Sequence, residues 1–355
     1  MTFSDGTDAD LQVLASVAND ADLPLIAQAA SALGERLVGG RFFVACVGQF
    51  KRGKSTVLNA LVDARVLPVG VTPVTSAVTI LRYGVERRAT VSYVAGPSEA
   101  IPVENIALYV AEEHNHENVR GVAVVEVFLP AAILASGLCL VDTPGTGSVF
   151  GGNTAATRAF VPHIDAALVV LGADPPISGD ELALVMEVSA QVTQSIFVLN
   201  KADRLSADDV REVREFTQRL LADRLRPSIG PVLEISAAER LDLGRATRDW
   251  QKLEDALSGF NLEAADILRH SHHRGVARLT KQLRDDLDER QGALLRPIHE
   301  SEARIDVLRR SVADAERMLR DLGILLAAHG WSTCASPDPD PGRRHDGVRS
   351  ATMTV

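Results

Sequence analysis

The chain has 355 residues, of which 46% are hydrophobic and 24% charged, so it is long enough for two domains or for one large domain with an appendage. Its net charge of −10 argues against nucleic acid as the main partner, because binding a phosphate backbone needs clustered Lys and Arg. The three cysteines lack metal-ligand spacing and indicate no disulfide framework, which favours a reducing, cytoplasmic setting.

Two amphipathic helices are predicted near the amino terminus. Their apolar residues at helical spacing are Leu11, Leu14 and Ala18 in the first helix and Leu25, Ala29, Leu33 and Leu37 in the second. Pro24 suits the first turn of the second helix, and Gly39-Gly40 ends it. These helices precede the first predicted strand and need a packing partner, for which the helical carboxyl-terminal third is the candidate.

Residues 48–55 carry the pattern G-x-x-x-x-G-K-S between an apolar run and a helical segment. The run at 42–47 predicts a buried parallel strand, and residues 56–61 predict the opening of a helix. This context is typical of the phosphate-binding loop of nucleoside triphosphatases, in which backbone N–H groups and the helix end cradle phosphate oxygens. In that role Lys54 would reach the β- and γ-phosphates, and the Ser55 hydroxyl would bind Mg²⁺.

The segment between this loop and the next motif mixes loop and β patterns. Residues 66–76 are rich in Pro, Gly and Thr and predict a loop. The β-rich runs at 78–83 and 90–94 are predicted to form an antiparallel pair, and residues 102–113 a helix. Further strands are predicted at 122–128 and 138–141.

The motif Asp142-Thr143-Pro144-Gly145 comes at the end of one of these strands. An Asp in that position can hold the Mg²⁺ shell through water, and the N–H of Gly145 can meet the γ-phosphate. The motif is weak alone, but its place after a phosphate-binding loop and at a strand end makes it specific.

The motif Asn200-Lys201-Ala202-Asp203 follows a strand predicted at 195–199. A carboxylate accepts two hydrogen bonds, so Asp203 suits the ring N–H and the exocyclic amine of guanine and would be repelled by the ring acceptor of adenine. Lys201 can lie along the base plane, and Asn200 can tie this loop to the phosphate-binding loop. The motif therefore predicts guanine as the base.

Two more buried strands are predicted at 166–171 and 232–235, and the second ends in Ser236-Ala237, whose backbone could contact the guanine oxygen. The motifs occur in the order found in GTPases, and each follows a strand or a helix that follows a strand. The sequence therefore predicts a guanine-nucleotide-binding α/β domain over residues 41–243.

The sequences between the motifs resemble the dynamin superfamily, in particular bacterial dynamin-like proteins. The matching features are residues 48–56, 58–61 and 66–70, Thr75, residues 81–84 and residues 138–148. The resemblance implies an enlarged α/β P-loop GTPase domain with a mostly parallel sheet and helices on both faces, together with a discontinuous helical bundle. It covers roughly residues 8–270.

Motifs and resemblance together predict the site. The nucleotide-binding residues are Gly48, Phe50, Lys51, Arg52, Gly53, Lys54, Ser55, Thr56, Asp142, Gly145, Asn200, Lys201, Asp203, Ser236 and Ala237. The expected cofactors are GTP or GDP and Mg²⁺, and the predicted metal residues are Ser55, Asp142 and Thr75. The resemblance implies that Thr75 is the threonine that touches Mg²⁺ and the γ-phosphate, with Thr72 as its competitor.

The chain departs from the family pattern at the residues that would promote GTP hydrolysis. Eukaryotic dynamins carry a Gln and a Ser in the phosphate-binding loop, where this chain has Phe50 and Lys51, and Thr146 stands where small signalling GTPases place a water-positioning Gln. The predicted catalytic residues are therefore Lys54, Thr75 and either Lys51 or Arg52, which would supply positive charge in cis or across a dimer. The alternative is that Lys51 and Arg52 are solvated or face a partner surface.

The carboxyl-terminal third is predicted to be helical. Pro297 is expected to break or kink it, after which Ile298, Ile305, Val312 and Leu319 recur every seven residues with Leu308, Ala315 and Leu322 at the second seam position. The expected organisation is a disordered start at 1–7, helices at 8–40 that pack with the carboxyl-terminal helices, the GTPase domain at 41–243, a helical bundle or stalk at 244–331 and a disordered tail at 332–355.

The function that the resemblance implies is GTP binding and hydrolysis with dimerisation through the GTPase domain, in nucleotide-dependent membrane binding or remodelling. The expected partners are guanine nucleotide, a second copy or a second dynamin-like protein, and a peripheral membrane contact at the inner face of the plasma membrane, with no nucleic acid. The alternatives are a GTPase switch without a membrane role and a GTP-binding assembly scaffold with little hydrolysis.

Overall fold

The structure is a computed structural model that describes residues 5–70, 77–144, 164–192, 194–225 and 229–328. The strands in these residues are β1 (Phe42–Val47), β2 (Val78–Tyr83), β3 (Arg88–Tyr93), β4 (Glu99–Ile101), β5 (Val122–Leu129), β6 (Leu138–Asp142), β7 (Ala166–Gly172), β8 (Gln194–Asn200) and β9 (Val232–Glu234). They form one mixed sheet in the order β4-β3-β5-β2-β6-β1-β7-β8-β9. The apolar runs that predicted strands are confirmed at every one of these positions except β4, which sequence analysis missed.

The α-helices of the described residues are α1 (Asp5–Asp20), α2 (Pro24–Val38), α3 (Lys54–Leu61), α4 (Ala107–Val110), α5 (Gly179–Gln191), α6 (Ala207–Arg224), α7 (Ala237–Leu243), α8 (Trp250–Leu262) and α9 (Ala264–Ala328). The chain divides into two units, Met1–Asp285 and Asp286–Val355, and the division falls within α9. In the second unit the predicted heptad positions Ile298, Ile305, Val312 and Leu319 are exposed.

Parallel pairing at the centre of the sheet fixes where the motifs lie. β1 pairs in parallel with β6 and β7, β7 with β8, and β8 with β9, so these five strands end at the same edge. β6 and β7 are buried along their whole length, as expected for strands covered on both faces by helices. The predicted, mostly parallel fold is confirmed, and the motifs that follow these strands are brought together.

The predicted antiparallel pairing of the runs at 78–83 and 90–94 is wrong. β5 lies between β2 and β3, pairing in parallel with β2 and antiparallel with β3. β2 also pairs antiparallel with β6, which makes it an interior strand. The first four residues of β2 are buried, so this strand needs neighbours on both sides, and a hairpin with β3 at the sheet edge would leave one side open.

Two helix predictions are also corrected. Residues 102–113 form only a 3₁₀ turn at Val103–Asn105 and the single turn α4, which ends because Ala111 has an extended backbone. α9 continues through Pro297, which was expected to break or kink it. Proline leaves the carbonyl of residue 293 without a helical donor, and because residues 293–296 are exposed, water can take the place of that donor.

The two amino-terminal helices pack on the same core as the sheet. Ile26, Ala27, Ala30 and Leu37 form the buried face of α2, whereas Leu25, which was predicted on that face, is 80% exposed. Gly275 in α9 lies directly under the Leu33 side chain, where an added Cβ would stand 2.3 Å from Leu33 Cδ2. The first turns of α9 therefore contact α2.

A buried ion pair joins α2 to the amino end of the central strands. Arg36 Nη1 lies 3.1 Å from Asp165 Oδ2, which also accepts a 2.6 Å hydrogen bond from the backbone N–H of Phe43. Ser271 of α9 donates to the other carboxylate oxygen of Asp165. Burial raises the pKa of Asp165, and Arg36 opposes that shift. The carboxylate thus connects α2, β1, β7 and α9 within one unit.

We expect Asp165→Asn to lower the free energy of unfolding by about 3 kcal/mol or more, because it leaves the buried Arg36 guanidinium without its counter-ion. Asp266→Asn is the matched control, since Asp266 pairs with Arg269 on an exposed turn of α9 and should contribute less than about 0.5 kcal/mol. Urea denaturation of both variants measures the difference. Equal midpoints for the two variants would contradict the role given to Asp165.

Candidate functional site

The sequence motifs meet at the carboxyl edge of the parallel strands. The phosphate loop (residues 48–55) follows β1 and leads into α3, Asp142 ends β6, Asn200 ends β8, and Ser236 caps α7 after β9. Ligands bind at this edge in open α/β sheets, where strand ends and helix starts leave a crevice. The described part of the chain therefore forms one candidate nucleotide site from four separate segments.

Lys54 is buried at the centre of the phosphate loop. Its Nζ donates to the carbonyl oxygens of Gly48, at 3.1 Å, and Gln49, at 3.3 Å. Burial lowers the pKa of the ammonium, and the Asp142 carboxylate opposes that shift. The carbonyls of the phosphate loop therefore hold the Lys54 amine within the loop.

Ser55 and Asp142, which the motifs predict as Mg²⁺ residues, contact each other. Ser55 Oγ donates to Asp142 Oδ2 at 2.7 Å, and Asp142 is 1% exposed. No cluster of three or more His, Cys, Asp or Glu suited to a metal occurs in the described residues. This pair of hard oxygen donors nevertheless fits Mg²⁺, which is held by one or two protein oxygens together with substrate phosphates and water. Bound there, the ion would neutralise phosphate charge.

The side-chain amide of Asn200 joins the loop at residues 200–203, which was predicted to read the base, to two other loops. Its Nδ2 donates to the backbone oxygen of Arg52 at 2.9 Å, and its Oδ1 accepts from the N–H of Ala237 at 3.1 Å. Gly53 is required beside it, because it has a φ of +88° and an added Cβ would stand 2.6 Å from Asn200 Nδ2. The structure therefore has the tie between loops that the sequence suggested for Asn200.

A second contact links the same loops at the surface. Lys201 Nζ donates to the backbone oxygen of Lys51 at 2.5 Å, and both lysines have a φ of +65°. Burial and the nearby cations Arg204 and Arg52 lower the pKa of Lys201, while Asp203 opposes the shift. The side chain of Asp203 is exposed and open to a ligand.

Arg52 is held by protein groups on four of its donor positions. Its Nε and Nη2 pair with the two carboxylate oxygens of Glu181 at 3.0 and 2.8 Å, while Nη1 and Nη2 reach the carbonyl oxygens of Pro175 and Pro176 at 2.7 and 3.3 Å. Arg52 is 5% exposed and Glu181 is fully buried. This geometry does not fit a free positive charge for catalysis and makes Arg52 a positioning residue. Lys51 is exposed, with Nζ 5.2 Å from the ring centre of Phe50.

Sequence reasoning missed the partners of the phosphate loop. Gln49 Nε2 donates to Ser178 Oγ at 2.8 Å, and Ser178 caps α5 by accepting from the N–H of Glu181. The spacing S-x-x-E at 178–181 is the signal that could have located the start of α5. In a capping box, however, the Glu side chain turns back to the cap residue, whereas here it binds Arg52, and local spacing gives no sign of that contact.

Thr143 was also missed as a structural residue. Its Oγ1 donates to the backbone oxygen of Cys46 at 2.8 Å, which fixes the start of the Asp142 loop against β1. Of the predicted site residues, Thr75, its competitor Thr72 and Gly145 lie outside the residues that the structure describes. The others, including Thr56 in the first turn of α3, lie on the segments of the candidate site.

Comparison with known proteins agrees with this geometry. Residues 44–202 match the model of the Dynamin family. An uncharacterized protein encoded in the xynA 3′ region of Caldicellulosiruptor sp. (strain Rt8B.4) is 32% identical over 241 residues, 68% of this chain and 60% of that protein. A bacterial dynamin-like protein of Nostoc punctiforme is 28% identical over 202 residues, 52% of this chain and 29% of that protein. The chain thus spans less than two thirds of either relative.

The fold has a counterpart among solved structures. A chain of a structure described as an oligomerised bacterial dynamin pair, which provides a mechanism for long-range sensing and tethering of membranes, aligns with a TM-score of 0.62 at 20% identity. The alignment covers 92% of this chain and 52% of that one. The described residues therefore have a dynamin-like GTPase fold with a P-loop. The family match over residues 44–202 and the bacterial dynamin-like relative support a place for this chain in the dynamin superfamily.

None of the helices in the described ranges is both long and apolar enough to cross a membrane.

We expect Arg52 and Glu181 to be strongly coupled in a double-mutant cycle. Arg52→Gln and Glu181→Gln should each lower the free energy of unfolding by more than about 2 kcal/mol, with a coupling of about 1–3 kcal/mol between them. Lys51→Asn is the control, since Asn tolerates the left-handed backbone at that position and the side chain is exposed. Additive effects of the two Gln substitutions would show that the pair is not structural.

Proposed function

We propose that the chain binds GTP and GDP with Mg²⁺ and hydrolyses GTP. The observation that carries this proposal is the hydrogen bonding of Asn200, which ties the base-reading loop to the phosphate loop and to the start of α7. A nucleotide is long, and a site for it must hold base, phosphates and metal at fixed spacings. The pair Ser55 and Asp142 lies at the same edge and suits the metal.

Guanine selection is assigned to Asp203, with Lys201 along the base plane and the backbone of Ser236 and Ala237 at the guanine oxygen. Both Ser236 and Ala237 are buried at the start of α7, and Asn200 holds the N–H of Ala237. The exposed carboxylate of Asp203 can accept from the two donors of guanine, a pattern that adenine lacks.

For hydrolysis, we assign Lys54 and Mg²⁺ to the phosphate charge, and Thr75 and the N–H of Gly145 to the γ-phosphate. Lys51 supplies further positive charge, in cis or from a second copy, because it is exposed on the phosphate loop while Arg52 is held by Glu181. A cation brought to the transferring phosphoryl group stabilises the charge that develops on it.

The proposed setting is a homo-oligomer, or an assembly with a second dynamin-like protein, in peripheral contact with the inner face of the plasma membrane. Two observations support it. The related solved structure is described as an oligomerised bacterial dynamin pair that senses and tethers membranes, and the heptad positions of the second unit are exposed and suited to packing on another helix. A GTP-binding scaffold with little hydrolysis is the alternative that those exposed positions also suit.

Asp203→Asn tests base recognition directly. The substitution replaces a carboxylate oxygen by an amide NH₂, which can donate to the carbonyl that xanthine has where guanine has its amine. We expect affinity for GTP to fall by about a hundredfold or more and affinity for XTP to rise, so that the preference inverts. Nucleotide binding by calorimetry and phosphate release by a coupled assay give the two readouts.

Asp223→Asn is the matched control, because Asp223 is an exposed residue of α6 and should leave both readouts unchanged. If the parent chain binds ATP as tightly as GTP, or if Asp203→Asn keeps the parent preference, the proposed base recognition is wrong.

A further inference from the structure

A cavity of about 300 Å³ lies between α2, the start of β7 and the first turns of α9. Its charged lining residues are Arg36, Asp165, Arg274 and Arg278, so three cations face one carboxylate. All of them belong to the first unit of the chain. The cavity thus has an excess of positive charge that its own residues do not neutralise.

Both oxygens of the single carboxylate already accept hydrogen bonds. Asp165 accepts from Arg36 and from the N–H of Phe43 on one oxygen and from Ser271 on the other. Arg274 reaches only the hydroxyl of Ser271, at 3.2 Å, and its Nε is buried without a hydrogen-bond partner. Within the described residues, neither Arg274 nor Arg278 forms an ion pair.

The two arginines without an ion pair in the described residues lie on one helix face. Arg274 and Arg278 are four residues apart on α9, and like charges at that spacing repel each other. Partial burial lowers the pKa of each guanidinium and the nearby Arg36 lowers it further, while for Arg274 the Asp165 carboxylate opposes the shift. An arrangement of this kind costs free energy in the absence of an anion, which points to an anion as the missing partner.

We propose that this cavity binds a phosphate group, either as inorganic phosphate or as a phosphomonoester. Guanidinium groups bind phosphate oxygens through paired hydrogen bonds, and a phosphomonoester carries close to two negative charges near neutral pH. The three arginines and the one carboxylate give the cavity a net charge of about +2, which a phosphomonoester balances. A ligand with a single carboxylate would leave one positive charge unbalanced. At about 300 Å³ the cavity is at the lower limit of small-molecule sites and suits a phosphate head group.

The proposed site is separate from the nucleotide site. Asp165 directly precedes β7, and Phe43 is the second residue of β1, so the cavity lies at the amino ends of the strands whose carboxyl ends carry the phosphate loop. The length of β1 alone puts about 16 Å between the two edges. A phosphate bound here would connect α9 to α2, and the proposal does not depend on GTP binding at the other edge.

Two probes distinguish the sources of the phosphate group. Equilibrium dialysis measures binding of labelled inorganic phosphate to the full chain. Excess GDP and Mg²⁺ are present to occupy the nucleotide site. A repeat with Lys54→Ala detects any phosphate that still binds there. Flotation with phosphatidylcholine vesicles, with and without phosphatidic acid, tests a lipid phosphomonoester. Arg274→Gln and Arg278→Gln are the test variants. Arg284→Gln, on an exposed turn of the same helix, is the control, and circular dichroism verifies folding.

We expect one equivalent of phosphate in the dialysis, with binding weakened by about tenfold or more in Arg274→Gln and in Arg278→Gln and unchanged in Arg284→Gln and Lys54→Ala. The second possible result is that vesicles bind but free phosphate does not. If that vesicle binding needs both phosphatidic acid and these two arginines, the site belongs to a lipid head group. Absence of binding in both assays, or binding that Arg274→Gln and Arg278→Gln leave unchanged, overturns the proposal.

Discussion

The site depends on one constraint, which is that the side-chain amide of Asn200 must satisfy two backbone groups at once. It donates to the carbonyl of Arg52 and accepts from the N–H of Ala237, so the loops after β1, β8 and β9 have one relative position. Only an amide offers a donor and an acceptor at that distance, and an Asp in its place would put a carboxylate against the Arg52 carbonyl. The requirement for glycine at position 53 follows from the same contact.

A second layer of contacts stiffens the phosphate loop from the side of α5. Glu181 binds Arg52 through both carboxylate oxygens, and Ser178 accepts from Gln49. Such a buried pair contributes less to stability than its geometry suggests, because both charges lose their hydration on burial. Its effect is to fix the phosphate loop. Lys51 is then the exposed cation of the loop, so the two adjacent basic residues lie in different surroundings.

Much of the fold could be predicted from the sequence, because parallel strands buried on both faces are continuous apolar runs and each motif follows such a run. The pairing of β2 was not predictable in this way. Its neighbours β5 and β6 come from a later part of the chain, and local pattern does not say which strand inserts between two others. The exposed position of Leu25 has a similar cause, since the side of α2 that is buried is set by its packing against α1 and the first turns of α9.

Site residues could be predicted from the sequence where they belong to a motif. Their roles could not be predicted where they depend on a contact with a residue distant in the chain. Ser55 and Asp142 were found from the motifs alone, and the structure has them 2.7 Å apart. Arg52 was assigned a catalytic charge because the sequence does not show Glu181 or the carbonyls of Pro175 and Pro176 around it. The arginines of the α9 cavity were not singled out either, since only folding brings Arg36 to Arg274 and Arg278.

Of the two arrangements proposed for Lys51, in cis and from a second copy, the second makes GTP hydrolysis depend on assembly. Its most direct test is the rate of phosphate release from GTP per protein molecule, measured with Mg²⁺ over a range of protein concentrations, for the parent chain and for Lys51→Asn. If a second copy supplies Lys51, the specific rate rises with concentration in the parent and stays low in Lys51→Asn. A parent rate that does not change with concentration, or no release of phosphate from GTP at any concentration, would contradict it.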